Sequence, residues 1–315
     1  MRLTGYLLAF LLLAGWSGAS RAACTLSGGQ LGFGTVSTFD VREQKVPVVS
    51  GSAGLGCNGS IISVVTSNYA RARATSAGGF RLRDAAGNAI RYRLSADAGG
   101  KYPLSGGASV DYFDPVLLDL LGILSSKSFA PTLFATVLDA PNIPAGTYTD
   151  TVTIDWTWQV CHGVGAGGLC ILAETGSGST VVTVTLTAGK DCRVVAPDID
   201  FGSAPLVTGF APVRQAVTVD CSLGLGFSVG FTSGTAGVSR PWRAMKGAGS
   251  ARLEYNLFRP DGAVWDEAGA MPGSAVGTGN PVPALAQVYT ARINPAQPTP
   301  PAGSYNDAIS VVITF

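Results

Sequence analysis

The sequence predicts an all-β protein: two tandem immunoglobulin-like antiparallel β-sandwiches, the C-terminal one lacking a strand. Three observations lead there. Apolar and polar residues alternate with period two through much of the chain, most clearly over 180–186 (TVVTVTL), where Val182, Val184 and Leu186 face one way and the threonines the other. The 42 glycines and 18 prolines cut these runs into short pieces, which suits turns and not helices. A set of landmarks then occurs twice, in the same order, in the two halves of the chain.

The repeat begins with Cys24, followed nine residues later by Phe33 in Gly32-Phe33-Gly34; Cys192 is followed nine residues later by Phe201 in Asp200-Phe201-Gly202. A second cysteine comes next in each copy, Cys57 and Cys221, beside apolar alternation in Ile61-Ile62-Ser63-Val64-Val65 and Val217-Thr218-Val219-Asp220. Ile90-Arg91-Tyr92-Arg93-Leu94 matches Leu253-Glu254-Tyr255-Asn256-Leu257. Pro144-Ala145-Gly146-Thr147-Tyr148-Thr149-Asp150 matches Pro301-Ala302-Gly303-Ser304-Tyr305-Asn306-Asp307, and each runs straight into a strand, over 151–156 and 308–315. The boundary falls near 188–190, giving units 23–187 and 188–315. The length of 315 residues agrees, at about 150 per domain. One helix is expected, over 114–124 (DPVLLDLLGIL), with Asp114 as cap and Pro115 in the first turn.

Composition narrows the function. Apolar residues make up 46% and charged residues 13% of the chain, with 21 Lys+Arg against 20 Asp+Glu. Without a basic surplus, nucleic acid is not an expected partner. The single histidine restricts metal sites and Ser-His or Cys-His catalysis, so a non-enzymatic protein without a cofactor is expected. Residues 1–22 read as a signal peptide: Arg2 gives a positive start, residues 6–13 (YLLAFLLL) a short apolar run, and Ser20-Arg21-Ala22 a cleavage site. Lipidation at Cys24 is disfavoured by Arg21, which stands where a lipid-attachment site wants Leu, Val or Ile. The mature chain is therefore expected to be exported.

Six cysteines in an oxidising compartment imply three disulfides among 15 connectivities. No CxxC occurs, which removes the usual zinc and thioredoxin-type spacings. The repeat selects Cys24 with Cys57 and Cys192 with Cys221, leaving Cys161 with Cys170 as a local clip.

The paired cysteines, the Phe-Gly after the first, the LxYxL strand and the closing P-A-G-x-Y-x-D strand together resemble the spore coat U domain. That domain also forms subunits of archaic, Csu-type, chaperone–usher pili, and two tandem copies resemble a two-domain tip adhesin. The resemblance implies a periplasmic chaperone, an outer-membrane usher and the donor strand of an adjacent pilin subunit as partners. It implies passage through the periplasm to an extracellular pilus tip, with cell adhesion and biofilm formation as the outcome. A structural spore-coat or pilus-shaft subunit is the alternative.

The two copies end differently. After 151–156 the first copy continues through the Cys161–Cys170 segment into the 180–186 strand, whereas the second stops at Phe315. A sandwich short of one strand exposes an apolar groove with unpaired backbone, which a strand from another chain can fill. Ile309, Val311, Ile313 and Phe315 are the residues expected to border that groove. A shaft subunit carries a donor extension before its first cysteine; with cleavage after Ala22, little precedes Cys24, which favours a tip.

Val116, Leu117, Leu118, Leu120, Leu121, Ile123 and Leu124 form the densest apolar cluster after the leader. Packing over the sandwich end is one reading; the other makes them, with Val164 and Leu169 of the clipped loop, an adhesive surface for an abiotic or host substratum. The first copy is also longer, with 56 residues from Tyr92 to Tyr148 against 50 from Tyr255 to Tyr305. Other constellations carry less. Gly54-Leu55-Gly56-Cys57-Asn58-Gly59 matches GxGxxG but leads into a strand, whereas a dinucleotide fingerprint opens a helix. His162 reads as an exposed loop residue, and Asp198 and Asp200 as solvated. Arg71, Arg73, Arg81, Arg83, Arg91 and Arg93 project from one face of their strands, with Ala72, Leu82 and Tyr92 inward. A solvated face or contact with a polyanion would account for them.

Overall fold

A computed structural model describes residues 24–58, 67–121, 128–163, 169–272, 276–279 and 286–315. The expected signal peptide, the alternation from Ile61 to Val65, and Ile123, Leu124 and Val164 lie outside the described residues.

The first half contains β1 (Cys24–Leu26), β2 (Gly29–Ser37), α1 (Thr38–Arg42), β3 (Val49–Ser52), β4 (Leu55–Asn58), β5 (Tyr69–Ser76), β6 (Arg81–Arg83) and β7 (Ala89–Ser95). It continues with β8 (Ser109–Asp111), α2 (Pro115–Leu121), β9 (Ser128–Phe129), β10 (Thr132–Val137), β11 (Gly146–Cys161) and β12 (Ala173–Gly189). One sheet runs β1-β4-β9; the other runs β2-β12-β11-β6-β7-β10-β3, with β5 on β11 and β8 on β5. We call this half domain 1. Its core is continuous and includes Leu31, Phe33, Tyr92, Tyr148, Trp156, Val182, Val184 and Leu186, all buried.

The second half, domain 2, contains β13 (Cys192–Val195), β14 (Val213–Cys221), β15 (Ser228–Phe231), β16 (Arg243–Lys246), β17 (Arg252–Phe258), β18 (Met271–Pro272), β19 (Ala286–Ile293) and β20 (Val311–Thr314). Its sheets are β13-β14-β19-β17-β16 and β18-β15-β20, around a separate core that includes Val217, Phe231, Leu257, Trp265 and Tyr289.

The repeat is geometric as well as sequential. Cys24 faces Cys57, and Cys192 faces Cys221, directly across antiparallel pairs, and both pairs are bonded; the third disulfide joins Cys161 to Cys170. The Tyr92 hydroxyl donates to Asp150 Oδ2 and the Tyr255 hydroxyl to Asp307 Oδ2, each at 2.6 Å. Tyr148 donates to the Pro144 carbonyl and Tyr305 to that of Pro301, so each P-A-G-x-Y turn is tied back on itself.

Three expectations change. The 180–186 strand is the middle of a much longer β12, which pairs with β11 over 16 residue pairs. β12 runs parallel to β2 and antiparallel to β11, so the sandwich is not wholly antiparallel. The strand expected over 308–315 is reduced to β20, because it has a ladder neighbour, β15, on one side only among the described residues. The helix forms as α2, with Asp114 Oδ1 accepting from the backbone N–H groups of Val116 and Leu117.

Candidate functional site: an open groove and a distal apolar patch

Domain 1 shows what a complete copy of this fold looks like. β12 lies between β2 and β11, and its alternate side chains Val182, Val184 and Leu186 fill the core. In register, Leu186 stands opposite Tyr148, Val184 opposite Asp150 and Val182 opposite Val152.

Among the described residues, domain 2 has both flanks of that slot and no strand between them. The segment equivalent to β2 carries Ile199 and Phe201 in the places of Leu31 and Phe33, and the segment equivalent to β11 carries Tyr305, Asp307, Ile309 and Val311. Between them lies an open groove of about 450 Å³, floored by Phe231, Met245, Tyr255 and Tyr289. Tyr148, Val152, Ile154 and Trp156 are buried, while their equivalents Tyr305, Ile309, Val311 and Ile313 are only half-buried and Phe315 is exposed. Burial, reinforced by the neighbouring aspartate, pushes the Tyr255 and Tyr92 phenols well above their ordinary range, so both remain hydrogen-bond donors at neutral pH. Of the expected groove residues, Ile309 and Val311 line this groove and Ile313 and Phe315 do not, and sequence reasoning missed the opposite wall, Ile199 and Phe201. The matched Phe-Gly landmarks already located that wall.

The far end of domain 1 holds the second site. β12 runs about 50 Å from Ala173 to Gly189, at roughly 3.3 Å per residue, and Gly189 leads into domain 2. Residues near the other end of β12 gather the chain's clip: Cys24 N–H donates to Glu174 Oε1, and Cys161 N–H to Asn68 Oδ1. Asn58 pairs with Ser128 at this end. Asn58, Ser128, Cys161 and Glu174 thus share the end away from domain 2.

The leucine cluster splits. Leu117 and Leu118 are buried in the core, so they leave the adhesive set; α2 must cover the sandwich, and one of its faces supplies the cover. Val116 is 57% exposed and Leu120 59%, and both line an apolar cleft of about 520 Å³ with Leu121, Tyr102 and Phe134. Leu169 is 72% exposed beside Ile171 and Leu172, also exposed, at the clip.

The remaining candidates are placed as follows. His162 is not exposed: its side chain is 7% accessible, with Nε2 3.2 Å from Glu174 Oε2. Cys24 Sγ is near this pair, but it is bonded to Cys57 and offers no thiolate to a metal. Asp198 and Asp200 are exposed. The GxGxxG segment enters β4, a strand. The arginines project outward while Ala72, Leu82 and Tyr92 are buried; Arg71 pairs with Asp111 and Arg91 with Asp139.

A family model, the Spore Coat Protein U domain, matches residues 13–155 and again 179–312. The chain belongs to the Spore Coat Protein U domain family. The two matches fall on the two halves of the chain and leave out 156–178, which includes the Cys161–Cys170 clip; most of β12 falls in the second match. Among solved structures, the chaperone–tip adhesion subunit pre-assembly complex CsuC–CsuE of archaic Csu pili from Acinetobacter baumannii is similar at 19% identity and TM-score 0.65, covering 93% of this chain and 100% of that one. At that identity the likeness speaks for the fold. The CupB6 tip adhesin of Pseudomonas aeruginosa matches at 13% identity and TM-score 0.30, over 85% of this chain and 86% of that one. No curated protein sequence matches the chain.

Proposed function

We propose that this chain is the tip subunit of an archaic chaperone–usher pilus, in which domain 2 is completed by the donor strand of an adjacent pilin subunit and domain 1 attaches the cell to a surface. The observation that carries the reading is the groove of domain 2, open where β12 fills the same slot in domain 1. Backbone pairing along β20 would set the register, and each apolar anchor driven into the groove would contribute roughly 1.5–3 kcal/mol. Before assembly a periplasmic chaperone would cover the same apolar wall, and an outer-membrane usher would exchange it for the donor. The likeness to a chaperone–tip complex supports a chaperone as a partner before assembly.

Adhesion, and with it biofilm formation, is assigned to the end of domain 1 remote from the groove. Exposed Val116, Leu120 and Leu169 supply apolar area there, of the kind that marks an interaction surface. Several such residues desolvated together would hold an abiotic or host surface by hydrophobic contact.

Two measurements test the reading. Exported alone, the full chain should be poorly soluble, with rapid amide exchange at 305–313; a monomer with that segment fully protected and no partner present would refute strand acceptance. Val116→Ser with Leu120→Ser should leave pili assembled and remove attachment to polystyrene. Undiminished attachment would exclude this patch as the contact.

A further inference from the structure

One outer sheet face of domain 1 carries Arg71 and Arg73 on β5, Arg81 and Arg83 on β6, and Arg91 and Arg93 on β7; all are exposed except Arg93, which is half-buried. β5 and β6 lie end to end along the same side of β11, so their arginines form a single stripe. It runs from Arg83, opposite Thr149, to Arg71, opposite Thr157, a length of about 27 Å at roughly 3.4 Å per residue. Arg91 and Arg93 widen it on the neighbouring strand.

The fold does not require these charges. Matching the registers of the two copies puts Ser228 and Gly230 at the places of Arg71 and Arg73, Ala244 at that of Arg81, and Glu254 and Asn256 at those of Arg91 and Arg93. Arg83 alone has a basic counterpart, Lys246, and Arg252 stands where domain 1 has Ala89. Nor does the stripe serve stability. Arg81 lies directly opposite Arg91, and like charges so placed repel. Arg93 Nε is buried with no hydrogen-bond partner among the described residues, and its guanidinium lies against Gly100, where a Cβ would collide with it.

Acids offset the stripe in part. Arg71 pairs with Asp111 and Arg91 with Asp139, Asp155 accepts from Ser179, and Asp84 is taken up by the turn N–H groups of Ala86 and Asn88. Arg73, Arg81, Arg83 and Arg93 make no ion pair among the described residues. The rows beside them are rich in hydroxyls. β11 turns out Thr149, Thr151, Thr153 and Thr157, and at the same levels β12 turns out Thr185, Thr183, Ser179 and Ser177. Such groups donate and accept, as sugar hydroxyls do. Val181 is the one large apolar side chain exposed in these rows among the described residues, and the Arg71 guanidinium lies 4.6 Å over the Tyr69 ring. An acidic peptide would find no apolar pocket there, and a single-stranded nucleic acid no free ring on which to stack.

We propose that this stripe binds a linear carboxylated polysaccharide laid along the strands of domain 1, with its carboxylates on the arginines and its hydroxyls on the threonine rows. The chain itself shows the mode of contact, since Arg71 and Arg91 each hold a carboxylate through Nε, at 3.2 and 3.1 Å. None of these residues belongs to the apolar attachment patch, and the site does not depend on strand acceptance by domain 2.

The full chain, tethered to a sensor through Phe315, is offered polygalacturonate, with dextran as the uncharged control. Polygalacturonate alone should bind. Its binding should weaken by about tenfold or more as ionic strength rises from about 0.01 M to about 0.15 M, where the Debye length falls from about 30 Å to about 8 Å. Arg81→Gln with Arg83→Gln should weaken binding about tenfold and leave the unfolding midpoint of domain 1 no lower, because the repulsion between Arg81 and Arg91 is gone. Lys246→Gln with Arg252→Gln removes two charges from the same face of domain 2 and should change binding by less than about twofold. Equal losses from the two pairs would overturn the stripe as the site, as would equal binding of dextran or no binding of either polymer. A lowered midpoint would show that the arginines serve the fold instead. Tighter binding of single-stranded DNA than of polygalacturonate, matched for charge, would overturn the polysaccharide in favour of a nucleic acid.

Discussion

Residues 148–156 and 305–313 occupy the same place in two copies of one fold, and they differ in what lies beside them. The first stretch lies within β11, between β12 and the β5–β6 edge, and its inward side chains are buried. The second contributes only β20 to a ladder, pairs with β15 and, at Asn306, with Lys246 of β16, and leaves its apolar side chains half-buried. Both are apolar on one face, both are preceded by a hydrogen-bonded P-A-G-x-Y turn, and both place an aspartate under a buried tyrosine. The burial of a strand in this fold is therefore set by its neighbour more than by its own sequence. A copy can keep its hydrophobic pattern, its disulfide and its tyrosine–aspartate bond and still remain open.

That contrast can be broken most strongly at β12. Val184→Asp places a charge in the closed core of domain 1 and should cost about 4 kcal/mol or more, read by denaturant unfolding through Trp156 and Trp158. The equivalent insult to domain 2, Val311→Asp, should cost under about 1 kcal/mol in the chain alone, because that side chain is already half in water. Equal costs at the two positions would mean that domain 2 is as closed as domain 1.

Disulfides come next. Replacing Cys24 and Cys57 by alanine removes a link between residues 33 apart and should cost about 3–4 kcal/mol; removing the Cys161–Cys170 link, 9 apart, should cost about 2–3 kcal/mol. Both losses should appear in the domain 1 transition and leave that of domain 2 in place.

The tyrosine–aspartate pair sharpens the comparison further. Tyr92→Phe leaves the buried Asp150 carboxylate one donor short, although Ser76 and the Gly78 N–H still serve it, and should cost about 1–3 kcal/mol. Tyr255→Phe should cost less, since Asp307 is half-exposed and water can replace the phenol. A reversed order would show that the domain 2 pair is the better shielded one.

The smallest effects are in pH. Burial and the adjacent carboxylates raise the phenols of Tyr92 and Tyr255, so their contribution is complete below the ordinary tyrosine value of 10.0 and declines as pH rises above it, in both domains. At the acid end the two halves should part. The Arg240 guanidinium holds the Asp266 carboxyl down to about 2, so domain 2 keeps this contribution above the ordinary 3.8 and loses it as pH falls through about 2. Arg240 is half-exposed, so the slope should be shallow, and Asp266→Asn should flatten it in urea titrations of the domain 2 transition.

Much of this was legible in the chain. The ordered landmarks predicted two copies and all three disulfides, because a cysteine pair repeated at matching places needs the same cross-strand register each time. The expectation of an open second copy came from counting what comes after each P-A-G-x-Y turn. The leucine cluster was less legible. Seven residues of α2, short of two full turns, cannot show by composition which side faces the core, and Leu117 and Leu118 proved to be its anchors. His162 was read as exposed because it adjoins glycine in a clipped loop; the hairpin of β11 and β12 brings Glu174 alongside and covers it.

The sequence by itself determined the strand periodicity, the repeat, the cysteine pairing and the apolar faces, since these depend on local alternation and on comparison of one copy with the other. The order of the chain assigned the 180–186 strand to the first copy; only the tertiary structure showed how far it extends and what holds it there. Its 16 residue pairs with β11 and its parallel ladder with β2 bury Val182, Val184 and Leu186 in domain 1, and the short run from Ala188 to Cys192 leaves it no reach into the groove of domain 2.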